Sequence, residues 1–232
     1  MRFQILLICV FISVAQLSFS QIQETSNVQF FELMKARNAS NPTEINGSEF
    51  LYTEWLPMKI IMEDGKTFDV NEARINIMGG SVDVMYKGRE MELLTNFVQS
   101  VEVNNNGIAK KMTPIFRIKA KDLPEKGFVE VYGEGDDKVL VRHHKYLVKG
   151  DPNAKILGID PRPKIMNIED MYIIHQKTAY QYKSKKDLKK IYGNKYKKIE
   201  TLIKNNKIDE KDPVQIGNLL DQISQEKMEE KQ

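Results

Sequence analysis

Cysteine is all but absent from this chain of 232 residues: the single thiol, Cys9, lies inside the apolar run Ile5–Ile12. Disulfides, thiolate metal sites and a cysteine nucleophile are therefore excluded for everything beyond that run. Histidine is nearly as scarce, with only His143, His144 and His175, and Trp55 is the lone tryptophan. No apolar stretch after residue 20 is long enough to span a bilayer as a helix. The formal net charge is only +3, which gives no strong global field to steer a polyanion.

What is present begins with an export address. Basic Arg2, the short apolar run, and Ser18 and Ser20 at the −3 and −1 positions before Gln21 follow the order of a cleaved secretory signal peptide over residues 1–20. The run is too short for a membrane anchor, and Cys9 sits too early to become a lipid-modified first residue. An exported chain without disulfides must rely on an ordinary core, which suits a bacterial periplasm better than an animal secretory pathway. The expected location is therefore across the inner membrane, periplasmic or associated with the outer membrane.

Residues 21–49 read as a polar leader with a short helix around Phe30–Met34, ended by Asn41-Pro42. Asn38-Ala39-Ser40 and Asn46-Gly47-Ser48 match the glycosylation acceptor pattern and serve as loop markers. From Phe50 onward short apolar runs alternate with turn signals at Asp64-Gly65, Gly79-Gly80, Lys87-Gly88 and Gly133–Asp137. That spacing predicts antiparallel strands over 50–182. A two-residue turn at Gly79-Gly80 would set Ile77 opposite Val82 and Ile75 opposite Val84. A turn at Lys87-Gly88 would set Val84 opposite Met91 and Val82 opposite Leu93, on one apolar face with Glu90 and Glu92 outside. In the hairpin over Pro57–Val70, Ile60 would share a face with Asp69. Phe128–Tyr132 with Val139–Val148, and Met171–Ile174 with Ala179–Tyr182, form the later hairpins, separated by the proline-rich connection Lys149–Lys164.

The C-terminal region, 183–232, reads as helical. Ser184-Lys-Lys-Asp187 is a capping-box start and Gly193 a stop. Tyr196, Ile199, Leu202 and Ile203 form an apolar stripe, and Asp212-Pro213-Val-Gln215 opens a last helix carrying Ile216, Leu219, Leu220 and Ile223, with Gln225–Gln232 fraying. The expected fold class is α+β, mainly β: an antiparallel β-meander folded as a sandwich or open barrel, followed by two or three C-terminal amphipathic helices.

Candidate chemistry is sparse. Neighbours on a strand point to opposite faces, so His143 and His144 cannot both ligate one metal without a distortion of the strand, and both read as surface or hairpin residues. Gly133-Glu134-Gly135 lacks the following helix of a phosphate loop and reads as a hairpin turn. Asp136-Asp137 lacks the alternating ligands of a calcium loop, and no serine sits in a nucleophile elbow. Glu54, Glu63, Asp64, Glu90 and Glu92 could supply an acid–base pair only if the fold brought two together. Trp55 reads as core packing. No catalytic residue, metal or cofactor is assigned. Charge is uneven: ten lysines between Lys183 and Ile208 stand against Asp187 and Glu200, whereas seven acids face three lysines from Asp209 on. Lys185, Lys186, Lys189, Lys190, Lys197 and Lys198 are the candidates for contact with an anionic surface such as lipid headgroups, with a solvated helix face as the plain alternative. Nucleic acid is not an expected partner, and an envelope protein is.

The order of Pro57-Met-Lys-Ile-Ile-Met-Glu-Asp-Gly-Lys66, Gly127-Phe-Val-Glu-Val-Tyr132, Ser184-Lys-Lys-Asp-Leu188 and Ile199-Glu-Thr-Leu-Ile203-Lys-Asn-Asn-Lys207 behind the export segment resembles a group of uncharacterised secreted proteins of Bacteroidota-type bacteria. These pair a strand-rich body with a lysine-rich helical end. The resemblance implies export, and it carries over no activity or functional residue. The sequence thus points to a non-catalytic envelope protein acting through protein or surface contacts. The alternatives are a carboxylate-based hydrolase of envelope polymers and a small-ligand carrier with a strand-lined cavity.

Overall fold

The computed structural model describes residues 30, 32–36, 45–105 and 108–229. Residues 1–20, where an export signal is expected, and most of the leader with Asn38, lie outside these. Where the leader is described, Phe30 and Glu32 are helical and Leu33 N–H bonds the Phe30 carbonyl, so a short helix stands where the sequence implies one, and it gives way at once to an edge strand, β1 (Met34–Ala36).

Ten further strands follow: β2 (Leu56–Met62), β3 (Thr67–Asn76), β4 (Ser81–Tyr86), β5 (Arg89–Leu94), β6 (Val98–Asn105), β7 (Ile108–Pro114), β8 (Phe128–Tyr132), β9 (Lys138–Val148), β10 (Lys164–His175) and β11 (Thr178–Tyr182). They form one open antiparallel sheet in the order β1-β5-β4-β3-β2-β6-β7-β8-β9-β10-β11. Two meanders thus meet at the β2–β6 pair. Only Thr95–Phe97 joins β5 to β6, although three strands lie between them in the sheet. In a flat sheet that separation would be at least about 19 Å, and the connection reaches about 14 Å. The first half must therefore curl on itself. Arg117 clamps the crossover, donating to the Asn96 carbonyl at 2.6 Å, the Val98 carbonyl at 3.3 Å and the Glu63 carboxylate at 2.6 Å. Inside the curl Ile60, Ile75, Val84, Leu93, Val101 and Met112 are buried, and Phe30 stacks on Phe68 at 4.1 Å.

The β4–β5 register agrees with the expectation, with Val84 opposite Met91 and Val82 opposite Leu93. Lys87 and Gly88 both take positive φ, as that hairpin turn demands. The β3–β4 register departs from it by two residues: Ile75 faces Val82 and Ala73 faces Val84. Asn76 is the cause, since its Oδ1 accepts the Gly79 N–H at 2.6 Å and its carbonyl the Gly80 N–H at 2.9 Å, closing a longer turn. A slip of two keeps every side chain on its face. In the first hairpin Ile60 pairs with Phe68, so Asp69 falls with Lys59 on the other face. Trp55 is corrected from core packing to a cation stack, because the Arg74 guanidinium lies between Phe50 (3.7 Å) and Trp55 (3.9 Å) and bonds Glu90 at 2.7 Å.

Strands β8–β11 carry layers on both faces. The segment 115–127 covers one face through Ile115, Ile118 and Leu123 over Val129, Leu140 and Ile174. The other face takes helices α1 (Lys185–Tyr192), α2 (Tyr196–Asn205) and α3 (Pro213–Glu229), whose Leu188, Ile199, Ile216 and Leu220 pack on Val139, Ile173 and Tyr182. Asp187 accepts the Ser184 N–H at 3.1 Å, and Asp212 accepts the Val214 N–H at 2.9 Å, so two helix starts are capped as their sequences imply. The last helix runs on to Glu229, past the expected fraying point. Among the described residues no helix is long and apolar enough to cross a membrane.

Candidate functional site

Two features stand out once the layers are in place: a buried charged cluster and a projecting arm. The cluster lies on the helix-bearing face. Along β8, Phe128 joins the curled core, Tyr132 packs under the helices, and Glu130 falls between the two cores. A carboxylate there has lost its water and needs donors. It has three: His143 Nε2 at 2.6 Å and Lys110 Nζ at 2.9 Å on Oε1, and the Tyr132 hydroxyl on Oε2. The Glu130 and His143 side chains are each 4% exposed. Burial pushes the Glu130 carboxyl up, but the donated bonds of His143, Tyr132 and Lys110 outweigh it and hold the group at about 2. Burial also pushes the Tyr132 hydroxyl above its usual range, and Glu130 adds to this. On the other side of the ring, His143 Nδ1 stands 3.2 Å from Glu169, which is largely exposed.

His143 is thus corrected from a surface histidine to a buried one, because Glu130 offers its ring the acceptor that burial requires. Strand alternation sends His144 to the opposite face, 3.5 Å from Asp170, where burial lowers its basicity. His175 joins a second buried group: its Nδ1 lies 2.9 Å from both oxygens of Asp137, which also accepts the Tyr192 hydroxyl at 3.0 Å. The Gly133–Gly135 turn does bind an anion, an internal one: the Glu134 and Gly135 N–H groups donate to Asp221 of α3 at 2.9 and 2.8 Å.

Of the carboxylates singled out in the sequence, only the chain neighbours Glu63 and Asp64 share a site, both lining the cavity beside Phe30, and each already has a partner. Glu63 is held by Arg117, Asp64 caps its own turn at Lys66 and Glu90 bonds Arg74, while Glu54 is exposed and Glu92 half-buried on β5. Lys185, Lys186, Lys189 and Lys190 on α1 and Lys197 and Lys198 on α2 are all exposed, with Lys190 3.5 Å from Asp187. A cavity of about 280 Å³ opens between Phe30, Met62, Phe68 and Phe97. Another of about 310 Å³ lies between the Met78–Gly80 turn, Phe116, Arg142 and His144.

The arm is made by β9 and β10. β8 accompanies β9 only as far as His143 and β11 accompanies β10 only from Met171, so residues 144–148 and 164–168 continue as a two-stranded ribbon. Five residues at about 3.3 Å each carry it roughly 16 Å outward. The 45–50 segment braces one face, with Asn46 bonded to the Pro163 carbonyl and Ile165 N–H at 2.8 Å each, and Lys145 Nζ bonded to the Ser48 carbonyl at 2.9 Å. The opposite face carries Tyr146, Val148, Met166 and Ile168. At the tip, Ile156, Leu157 and Ile159 are 84%, 76% and 59% exposed.

The loop that holds this tip is built firmly. Gly150 packs against Pro161–Pro163 so closely that no Cβ could be placed there. Asp160 accepts the Arg162 backbone N–H at 3.0 Å and its guanidinium at 2.6 to 3.0 Å, and these bonds hold the Asp160 carboxyl at about 2. The sequence marked this stretch only as a proline-rich connection. Its signal was three aliphatic residues in four positions of a proline-bounded loop, where polar residues are usual. Comparison of the chain with protein-family models, with curated protein sequences and with solved structures finds no match.

Proposed function

We propose that this is a non-catalytic exported protein of the bacterial envelope that works by contact, and that the β9–β10 arm is its contact element. The observation that carries this is the tip: Ile156, Leu157 and Ile159 held in water by a pinned loop. Fully burying an aliphatic side chain is worth about 1.5–3 kcal/mol, so three left exposed forgo roughly 5–9 kcal/mol that a partner surface would recover. Large aliphatic side chains exposed together within four residues of one loop are the kind of surface that marks interaction sites. Export rests on the signal-peptide pattern of residues 1–20.

The hydrolase alternative has one observation in its favour, the two carboxylates flanking His143. A general acid at neutral pH needs a raised carboxyl, and Glu130 is held at about 2 with both oxygens engaged, which suits a structural anchor better. The carrier alternative has cavities of about 280 and 310 Å³, near the lower end of the roughly 300–1,000 Å³ typical of ligand pockets.

The test is fractionation of cells producing the wild type and the Ile156→Ser/Leu157→Ser/Ile159→Ser variant. The wild type should appear with Gln21 as its first residue and be enriched with envelope material, and the variant should be processed equally but move to the soluble fraction. Equal distribution of the two would remove the arm from the account, and an unprocessed cytosolic protein would remove export.

A further inference from the structure

Resting on the contact proposal, we infer that the tip of the β9–β10 arm docks on an anionic lipid leaflet. The chemistry is layered along the arm as a bilayer surface is layered. Outermost are Ile156, Leu157 and Ile159, all aliphatic and none carrying a polar atom beyond the backbone. Around and just behind them stand Lys149, Lys155 and Lys164, exposed and not ion-paired among the described residues. The acids at this end are otherwise engaged: Asp160 is neutralised by Arg162, and Asp151 accepts the Asn153 N–H at 2.9 Å. The tip therefore presents an excess of positive charge although the chain as a whole is nearly balanced. One step further back on the uncovered ribbon face is Tyr146, the amphipathic ring that favours the headgroup level.

Shape points the same way. A convex aliphatic knob needs a made-to-measure pocket on a protein partner, whereas a leaflet accepts it without complementarity. The close approach of Gly150 to Pro161–Pro163 and the Asp160–Arg162 clamp present the knob preformed, so little chain entropy is lost on insertion. Shallow aliphatic insertion combined with basic residues at the headgroups is the two-signal arrangement that gives stable but reversible attachment.

The experiment is co-sedimentation of the chain beginning at Gln21 with vesicles of phosphatidylcholine alone or with phosphatidylglycerol added. Binding should require the anionic lipid and weaken as salt is raised. The Ile156→Ser/Leu157→Ser/Ile159→Ser variant should bind at least about tenfold more weakly with an unchanged circular-dichroism spectrum, and Lys149→Ser/Lys155→Ser/Lys164→Ser should lose the preference for anionic vesicles. The Lys185→Ser/Lys186→Ser/Lys189→Ser/Lys190→Ser variant should bind as the wild type does. Absence of vesicle binding, equal binding by the tip variant, or loss confined to the helix variant would each overturn the inference. If vesicle binding fails while the tip variant still leaves the envelope fraction in cells, the occupant is a protein and the contact proposal stands. If neither assay distinguishes the tip variant, both fall.

Discussion

Glu130→Ala is expected to destabilise the protein by about 3–5 kcal/mol, because it removes the shared acceptor of a buried charged group and strands His143, Tyr132 and Lys110 at once. Urea titration of the two proteins measures it, and a loss under about 1 kcal/mol would mean that water already serves the cluster. The pH dependence follows from the sign of the carboxyl shift. The folded value, about 2, lies below the ordinary 4.5, so the stabilisation is complete above the ordinary value and is lost as pH falls from there through the folded value. A depression of this size corresponds to about 3 kcal/mol. The stability gap between the wild type and Glu130→Gln should therefore narrow by about that amount between neutral pH and pH of about 2, and parallel curves would contradict the assignment.

Asp137→Ala should cost about 2–4 kcal/mol by a different route, the orphaning of the buried Tyr192 hydroxyl and the partly buried His175 ring. Asp137 joins α1 to β10, through Tyr192 and His175. Burial, reinforced by the neighbouring carboxylate, pushes the Tyr192 hydroxyl far above its usual range, so it remains a donor at any working pH. Asp137→Asn keeps an acceptor and should lose less than half as much. A double-mutant cycle with Tyr192→Phe should give a coupling of about 1 kcal/mol or more, and additive losses would show that the hydroxyl does not depend on Asp137. Amide exchange over Lys185–Tyr192 should rise in Asp137→Ala ahead of exchange in β4 and β5, since only the helical layer is released.

The legible parts of the fold were those set by local rules. The three C-terminal helices and their caps follow from Asp187, Asp212, Gly193 and the spacing of Ile216, Leu219, Leu220 and Ile223, all decided within a few residues. The β4–β5 register follows from Lys87-Gly88 for the same reason. Strands β6 and β7 were missed, although Asn106-Gly107 between them is a strong hairpin dipeptide. Glu130 and His143 also left a trace: Phe128, Glu130 and Tyr132 alternate onto one face, as do Val139, Val141 and His143, so each strand carries one charged or polar residue in an apolar row. That pattern demands a partner but does not name it, because the pairing of β8 with β9 is fixed by a register outside either strand. The arm was hidden for a related reason. Lys164–Asp170 shows no apolar alternation, since its strand identity comes from pairing with β9 alone.

The central claim is that the protein acts through the exposed tip of the arm, and the near-absence of cysteine makes it directly measurable. In the chain from Gln21 on, Leu157→Cys introduces a unique thiol for an environment-sensitive fluorophore, with Gln181→Cys on β11 as the reference position. On addition of envelope material the label at 157 should shift to the blue while the label at 181 stays in water. No shift at 157, or the same shift at both positions, would contradict the account.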